Sequence, residues 1–189
     1  DALLTDAFMV AASQKLDNPE MLGIAISVLG QNAGSLGMVG GQVLDLAGEG
    51  QKLSLEELRV LNAKKTGALL FNACECGAVL AGADDDAVAT LGDFGRNTGI
   101  AYQLVDDLLG VFGKESATGK SNLSDLREGK RTVLIAHAAQ GESWDELSHL
   151  IGCPELTPEE ADRARELLIS SGASDYARNL AEEYADRAR

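Results

Sequence analysis

Helical spacing of apolar residues runs through almost the whole chain, and no apolar–polar alternation persists beyond four residues. A sheet needs strands of about five residues with a period of two. The chain is therefore expected to be all-α. The spacing predicts a helix over 1–16, ended at Asn18-Pro19, and a second from about 20 into the glycine series Gly34, Gly37, Gly40 and Gly41. Further helices are expected from 54 to about 82, from 85 to 112, and over 132–139, 144–151, 158–169 and 175–187. The 28 residues of the 85–112 helix, with Gly92, Gly95 and Gly99 along it, imply a central buried helix approached closely by its neighbours.

Local chemistry supports these boundaries. Ser54-Leu55-Glu56-Glu57 and Thr157-Pro158-Glu159-Glu160 are capping boxes, in which a hydroxyl and a carboxylate satisfy amides at a helix start. The acidic run Asp84-Asp85-Asp86 stands where a cap belongs. The glycines from 34 to 41 lack the dinucleotide-binding spacing and follow no strand, so close packing or a bend explains them. A length of 189 residues suits one domain, 1–189.

Charge narrows the partners. Thirty acidic against sixteen basic residues give a net charge of −14, which repels a nucleic-acid backbone or an anionic membrane. An anionic substrate would need a local basic cluster or bridging cations. No apolar run approaches the roughly 20 residues that span a bilayer, so no integral membrane segment is expected. Cys74, Cys76 and Cys153 form no disulfide framework or zinc pattern and read as reduced thiols, which points to a cytoplasmic setting. The chain opens at Asp1 inside an apolar pattern and closes at Arg189 inside another, so truncation is expected at both ends.

The chemistry concentrates around the end of the 85–112 helix. Gln103, Asp106 and Asp107 fall at i, i+3 and i+4 and share one side of it. Alone, such a pair of carboxylates would be a solvated acidic face. The following loop, 113–130, changes that reading, because Lys120, Arg127, Lys130 and Arg131 place four basic residues within twelve positions. Carboxylates beside a cationic loop suit a diphosphate held through Mg²⁺, which takes hard oxygen ligands and keeps several waters. The stretch Gly113 to Ser121 superficially matches a P-loop, but five residues separate its glycines where that motif has four.

The segment Gly99-Ile100-Ala101-Tyr102-Gln103-Leu104-Val105-Asp106-Asp107-Leu108-Leu109-Gly110 resembles the second aspartate-rich motif of trans-isoprenyl diphosphate synthases. Thr118-Gly119-Lys120 and Ser124-Asp125-Leu126-Arg127-Glu128-Gly129-Lys130-Arg131-Thr132 resemble the loop that follows it in that family. Lys64-Lys65-Thr66-Gly67 resembles the family's Lys-Thr element, and Gly41-Gln42-Val43-Leu44-Asp45-Leu46 the helix before it. The resemblance implies a helical bundle around a deep cavity, with an allylic diphosphate at its mouth and isopentenyl diphosphate as second substrate. It assigns Mg²⁺ to Asp106 and Asp107, and diphosphate to Lys65, Lys120 and Lys130. It places Thr66 and Gln103 beside Lys65 as catalytic residues near the allylic carbon, and implies a cytoplasmic homodimer making a short product of farnesyl or geranylgeranyl length. For Gln42 and Asp45, site wall and helix-packing hydrogen bond stay equally open, and His137 and His149 read as structural or surface residues.

Two departures stand out. The motif's third aspartate is replaced by Gly110, leaving Asp125 or a water to compensate. The first aspartate-rich motif has no counterpart here, so the chain is read as the C-terminal portion of a family member, inactive alone. A noncatalytic subunit of a prenyl synthase and a terpene cyclase of the same fold are the alternatives. Intact diphosphate lysines speak against the first, and the missing Asn/Asp-x-x-Ser-x-x-x-Glu pattern against the second. A plain helical scaffold would not need Lys65, Gln103, Asp106 and Lys120 together.

Overall fold

The computed structural model describes residues 2–13, 15, 19–48, 53–114 and 123–189, and every regular element among them is helical. In chain order these are α1 (Ala2–Ser13), α2 (Pro19–Ala33), α3 (Met38–Ala47), α4 (Leu55–Asn62), a π-helical turn (Ala63–Gly67), α5 (Ala68–Leu80) and α6 (Asp85–Phe112). After these come α7 (Ser124–Arg127), α8 (Val133–Ala138), α9 (Trp144–Ser148), α10 (Pro158–Ser170) and α11 (Ala173–Arg187). The chain divides into two compact units, one within residues 1–49, 59–100 and 184–189, the other within 50–58 and 101–183.

In the first unit α2 packs along α5 and touches α1 and α3, while α3 lies on the π turn. Glycines set these close approaches. A Cβ on Gly41 of α3 would stand 2.7 Å from Lys65 Cα, and one on Gly99 of α6 2.7 Å from Gly67 Cα. Both distances are shorter than carbon atoms tolerate, so two helices press on the π turn through glycine. Gly95 continues this line, since its Cβ would stand 2.9 Å from Phe71 Cα. The expectation of a close-packed 85–112 helix therefore holds on its glycine side. Its other side departs from expectation, because Leu91, Phe94, Tyr102, Val105 and Leu109 are 42–64% exposed. Periodicity alone marks which residues share a face, not whether anything covers it.

The predicted helix from 20 through the glycine series is two helices. A turn follows Ala33, with Gly37 N–H donating to Gly34 O at 3.1 Å, before α3 starts at Met38. The break falls within a long apolar stretch. The stretch Pro19–Ala47 is apolar enough to cross a membrane by length and composition. The turn divides it into helices of 15 and 10 residues, each short of the roughly 20 that a span needs.

The second unit has the tighter core. Leu104 and Val111 of α6, Leu126 of α7, Val133 and Leu134 of α8, Leu147, Leu156 and Leu168 are all at most 2% exposed. Each such leucine contributes about 2 kcal/mol on burial. Arg127 donates from Nε and Nη2 to Leu156 O at 3.1 and 2.7 Å, and Arg165 Nε to Val111 O at 2.7 Å. The imidazole of His137 stacks on the Tyr176 ring with centroids 4.5 Å apart, a packing role as expected. The capping box at Thr157 forms with Pro158 at the first helical position, and that at Ser54 forms with Glu57. Asp84 Oδ1 accepts from Ala87 N–H at 2.8 Å, which makes the acidic run a cap as anticipated.

Candidate functional site: three carboxylates around one lysine

A short element missed at the sequence level positions the site. Within the expected loop 113–130, residues 124–127 form the helical turn α7. It ends in a Schellman cap: Gly129 N–H donates to Leu126 O at 3.2 Å, and Lys130 N–H to Asp125 O at 2.9 Å. Gly129 supplies the required left-handed backbone with φ +63. A Cβ there would also stand 3.0 Å from Gly152 Cα. The visible signal was Gly129 directly after a five-residue stretch able to form one turn. The cap folds the chain back so that Lys130 lies over Asp125.

The Lys130 ammonium then meets three carboxylates. Its Nζ stands 3.3 Å from Asp106 Oδ2, 3.2 Å from Asp107 Oδ1 and 3.2 Å from Asp125 Oδ2. Gln103 Nε2 donates to Asp107 Oδ1 at 3.0 Å from one turn earlier on α6. Exposure grades across the set: the Asp106 side chain is 42% exposed, Asp125 18% and Asp107 3%. Burial pushes the Asp107 carboxyl up to about 6, opposed by the Lys130 charge and by the hydrogen bonds from Gln103 and Lys130. Burial also works against the Lys130 charge, but the three carboxylates outweigh it and hold the ammonium well above its ordinary range. With all four groups ionised the cluster carries a formal charge of −2, which attracts a divalent cation.

Among the described residues no three His, Cys, Asp or Glu side chains are arranged to cage a metal ion by themselves. The physical reason is visible in the cluster, where an ammonium occupies the point on which the carboxylates converge. The donor set still fits Mg²⁺, which typically takes one or two carboxylates and fills its octahedron with waters and phosphate oxygens. Of the three carboxylates Asp106 is the most open to solvent, with 42% of its side chain exposed.

The other sequence-predicted residues distribute as follows. Gln103, Asp106, Asp107 and Lys130 are brought together in the second unit. Lys65 and Thr66 lie in the first, on the π turn (Ala63–Gly67), a helix irregularity often found at functional positions. Nothing in the residue pattern announced that turn. Lys65 Nζ donates to Asp45 Oδ2 at 2.5 Å, so Asp45 pairs with the lysine, while Gln42 is exposed. Lys120 lies outside the described residues. Arg127, counted with the basic cluster from sequence, spends its guanidinium on the Leu156 carbonyl instead.

A family model described as Polyprenyl synthetase matches residues 1–168. The geranylfarnesyl diphosphate synthase of Aeropyrum pernix is 43% identical over 125 residues, covering 66% of this chain and 39% of that protein. The geranylgeranyl diphosphate synthase of Saccharolobus solfataricus is 37% identical over 155 residues, covering 78% of this chain and 46% of that protein. A crystal structure of geranylgeranyl pyrophosphate synthetase from Pyrococcus horikoshii superposes with a TM-score of 0.86 at 28% identity, covering 97% of this chain and 56% of that one. The chain thus spans about half the length of the relatives it matches. With the all-α fold, this places the chain in the polyprenyl synthetase family of trans-isoprenyl diphosphate synthases.

Proposed function

We propose that the protein carrying this chain is a Mg²⁺-dependent prenyltransferase that joins isopentenyl diphosphate to an allylic diphosphate. The observation that carries the reading is the convergence of Asp106, Asp107 and Asp125 on Lys130 Nζ at 3.2–3.3 Å. Such a cluster can receive a divalent cation on its carboxylates and a phosphate oxygen on its ammonium. Solved relatives described as complexed with isoprenyl diphosphate, one with magnesium and one with calcium, support the same pairing of ligands.

In the proposed reaction the allylic C–O bond breaks and diphosphate leaves with the bonding pair. The double bond of isopentenyl diphosphate attacks the allylic carbon, forming the new C–C bond. Loss of a proton next to the resulting cation restores a double bond. Mg²⁺, when bound, would offset the charge growing on the departing diphosphate. Asp106 is the proposed metal ligand, with Asp107 assisting. Lys65, Lys120 and Lys130 are the proposed diphosphate contacts, acting as point charges. Gln103 and Thr66 are assigned to the neighbourhood of the allylic carbon, where their oxygens would steady positive charge. The hydrogen bond from Gln103 Nε2 to Asp107 fixes that amide's orientation and turns its carbonyl away from the carboxylate. Relatives that are geranylgeranyl and farnesyl diphosphate synthases support a product of farnesyl or geranylgeranyl length.

Incorporation of labelled isopentenyl diphosphate onto an allylic diphosphate tests the reading, in the full-length protein carrying this chain. Turnover should need Mg²⁺, and Asp106→Ala should lower kcat by at least about a hundredfold while the helical circular dichroism stays unchanged. Unaltered turnover in that variant would remove Asp106 from the site.

A further inference from the structure

A cleft in the first unit is built from groups that the proposed reaction does not use. Its volume is about 190 Å³, and its walls include Asn32 of α2, Lys64 and Gly67 of the π turn, Ala68 and Phe71 of α5, and Arg96 of α6. Lys64, Ala68 and Phe71 fall at i, i+4 and i+7, so one helix face looks into the cleft. Lys65 is engaged elsewhere, on Asp45. Among the described residues that line the cleft there are two cations and no carboxylate, in a chain of net charge −14.

Both cations are held in place with donors to spare. Lys64 Nζ donates to Leu36 O at 2.6 Å, which leaves the ammonium further N–H groups to give. The Arg96 guanidinium lies over the Phe71 ring, 4.7 Å from its centroid, and is steadied there. Arg96 Nη1 donates to Asp93 Oδ1 at 2.8 Å, in an exposed pair that water and salt screen. Glu75 also feels the Arg96 charge, although burial raises its carboxyl above the ordinary range. Asp93 is thus the contact that an incoming anion has to displace.

We propose that this cleft binds a phosphoryl group, as free phosphate or as a small phosphate monoester, between the Lys64 ammonium and the Arg96 guanidinium. A planar guanidinium beside a compact ammonium suits a tetrahedral oxyanion. Ala68 and Phe71 supply an apolar wall for the organic body of an ester. Because Lys64 and Gly67 belong to the π turn, an anion held there also clamps the turn that carries Lys65 and Thr66. The binding does not depend on the prenyltransferase reading.

The test is calorimetric titration of inorganic phosphate into the protein carrying this chain, in metal-free buffer and against chloride at matched ionic strength. Binding should saturate, and Lys64→Ala and Arg96→Ala should each weaken it at least about fivefold. Asp93→Asn should tighten it about threefold, because the competing carboxylate is gone. That variant keeps both cations and reports on the cleft even where an alanine variant does not fold. Saturating phosphate should also slow hydrogen exchange of the amides in the π turn. Tighter binding of glycerol phosphate than of phosphate assigns the apolar wall to an ester, and equal binding assigns the cleft to the free ion. No saturable binding beyond that of chloride, or binding unchanged in both alanine variants, overturns the proposal. Binding lost in Lys130→Ala instead would place the anion at the carboxylate cluster and overturn it as well, with the prenyltransferase reading left standing.

Discussion

Replacing Asp107 by Asn should make stability less dependent on pH, because Asp107 is a carboxylate held at an energetic cost. Its side chain is 3% exposed and burial raises its carboxyl from 3.8 to about 6. The folded value lies above the unfolded one, so its contribution to stability is full below about pH 4 and is lost as pH rises through about 6. The whole shift corresponds to about 3 kcal/mol, of which linkage assigns about 1 kcal/mol to the interval between pH 8 and pH 5. Asparagine has nearly the same shape and does not titrate. The variant should therefore gain on the wild type by about 1 kcal/mol between pH 5 and pH 8, while other carboxylates titrate in both proteins and cancel. Urea denaturation at several pH values measures this difference directly. A difference that stays constant with pH would refute the buried-carboxylate account. Turnover in the variant should fall, as expected where a destabilising group is kept for function.

Other perturbations probe neighbouring parts of the arrangement. Lys130→Ala should destabilise by about 2–3 kcal/mol at pH 8, because it leaves Asp107 buried without its cation, and the loss should shrink as the carboxyl protonates below pH 6; denaturation at the two pH values checks it. Gly129→Ala should cost about 1–2 kcal/mol through its left-handed φ, and should weaken pyrophosphate binding by shifting Lys130; melting and calorimetry read the two effects. Asp45→Asn, releasing Lys65 from a half-exposed pair, should change stability by less than about 1 kcal/mol, whereas Lys65→Ala should raise KM for the allylic diphosphate.

How much of this was legible in the sequence depended on the range of the interaction. Ser54 with Glu57 and Thr157 with Glu160 act over three residues, so their caps could be read directly. The bounds of the 85–112 helix, and the shared side of Gln103, Asp106 and Asp107, follow from a period of 3.6 in the same way. The π turn at Lys65 and Thr66 could not be read, because it is where α3 and α6 press on the chain through Gly41 and Gly99. The helical turn at 124–127 was hidden among charged residues that look like loop, although Gly129 carried the trace of its cap. Arg127 counted with the basic cluster of the loop, and the fold turns its guanidinium to the Leu156 carbonyl instead. Asp125 could be named as a possible substitute for the missing aspartate, but its seat against Gly110 is a tertiary fact.

In the proposed function the Asp106, Asp107 and Lys130 cluster holds a diphosphate through a divalent cation. Calorimetric titration of an allylic diphosphate into the protein carrying this chain, with and without Mg²⁺, tests it most directly. Binding that needs Mg²⁺ and disappears in Asp106→Ala is the predicted result. Binding of equal strength without the metal, or with Asp106 replaced, would contradict it.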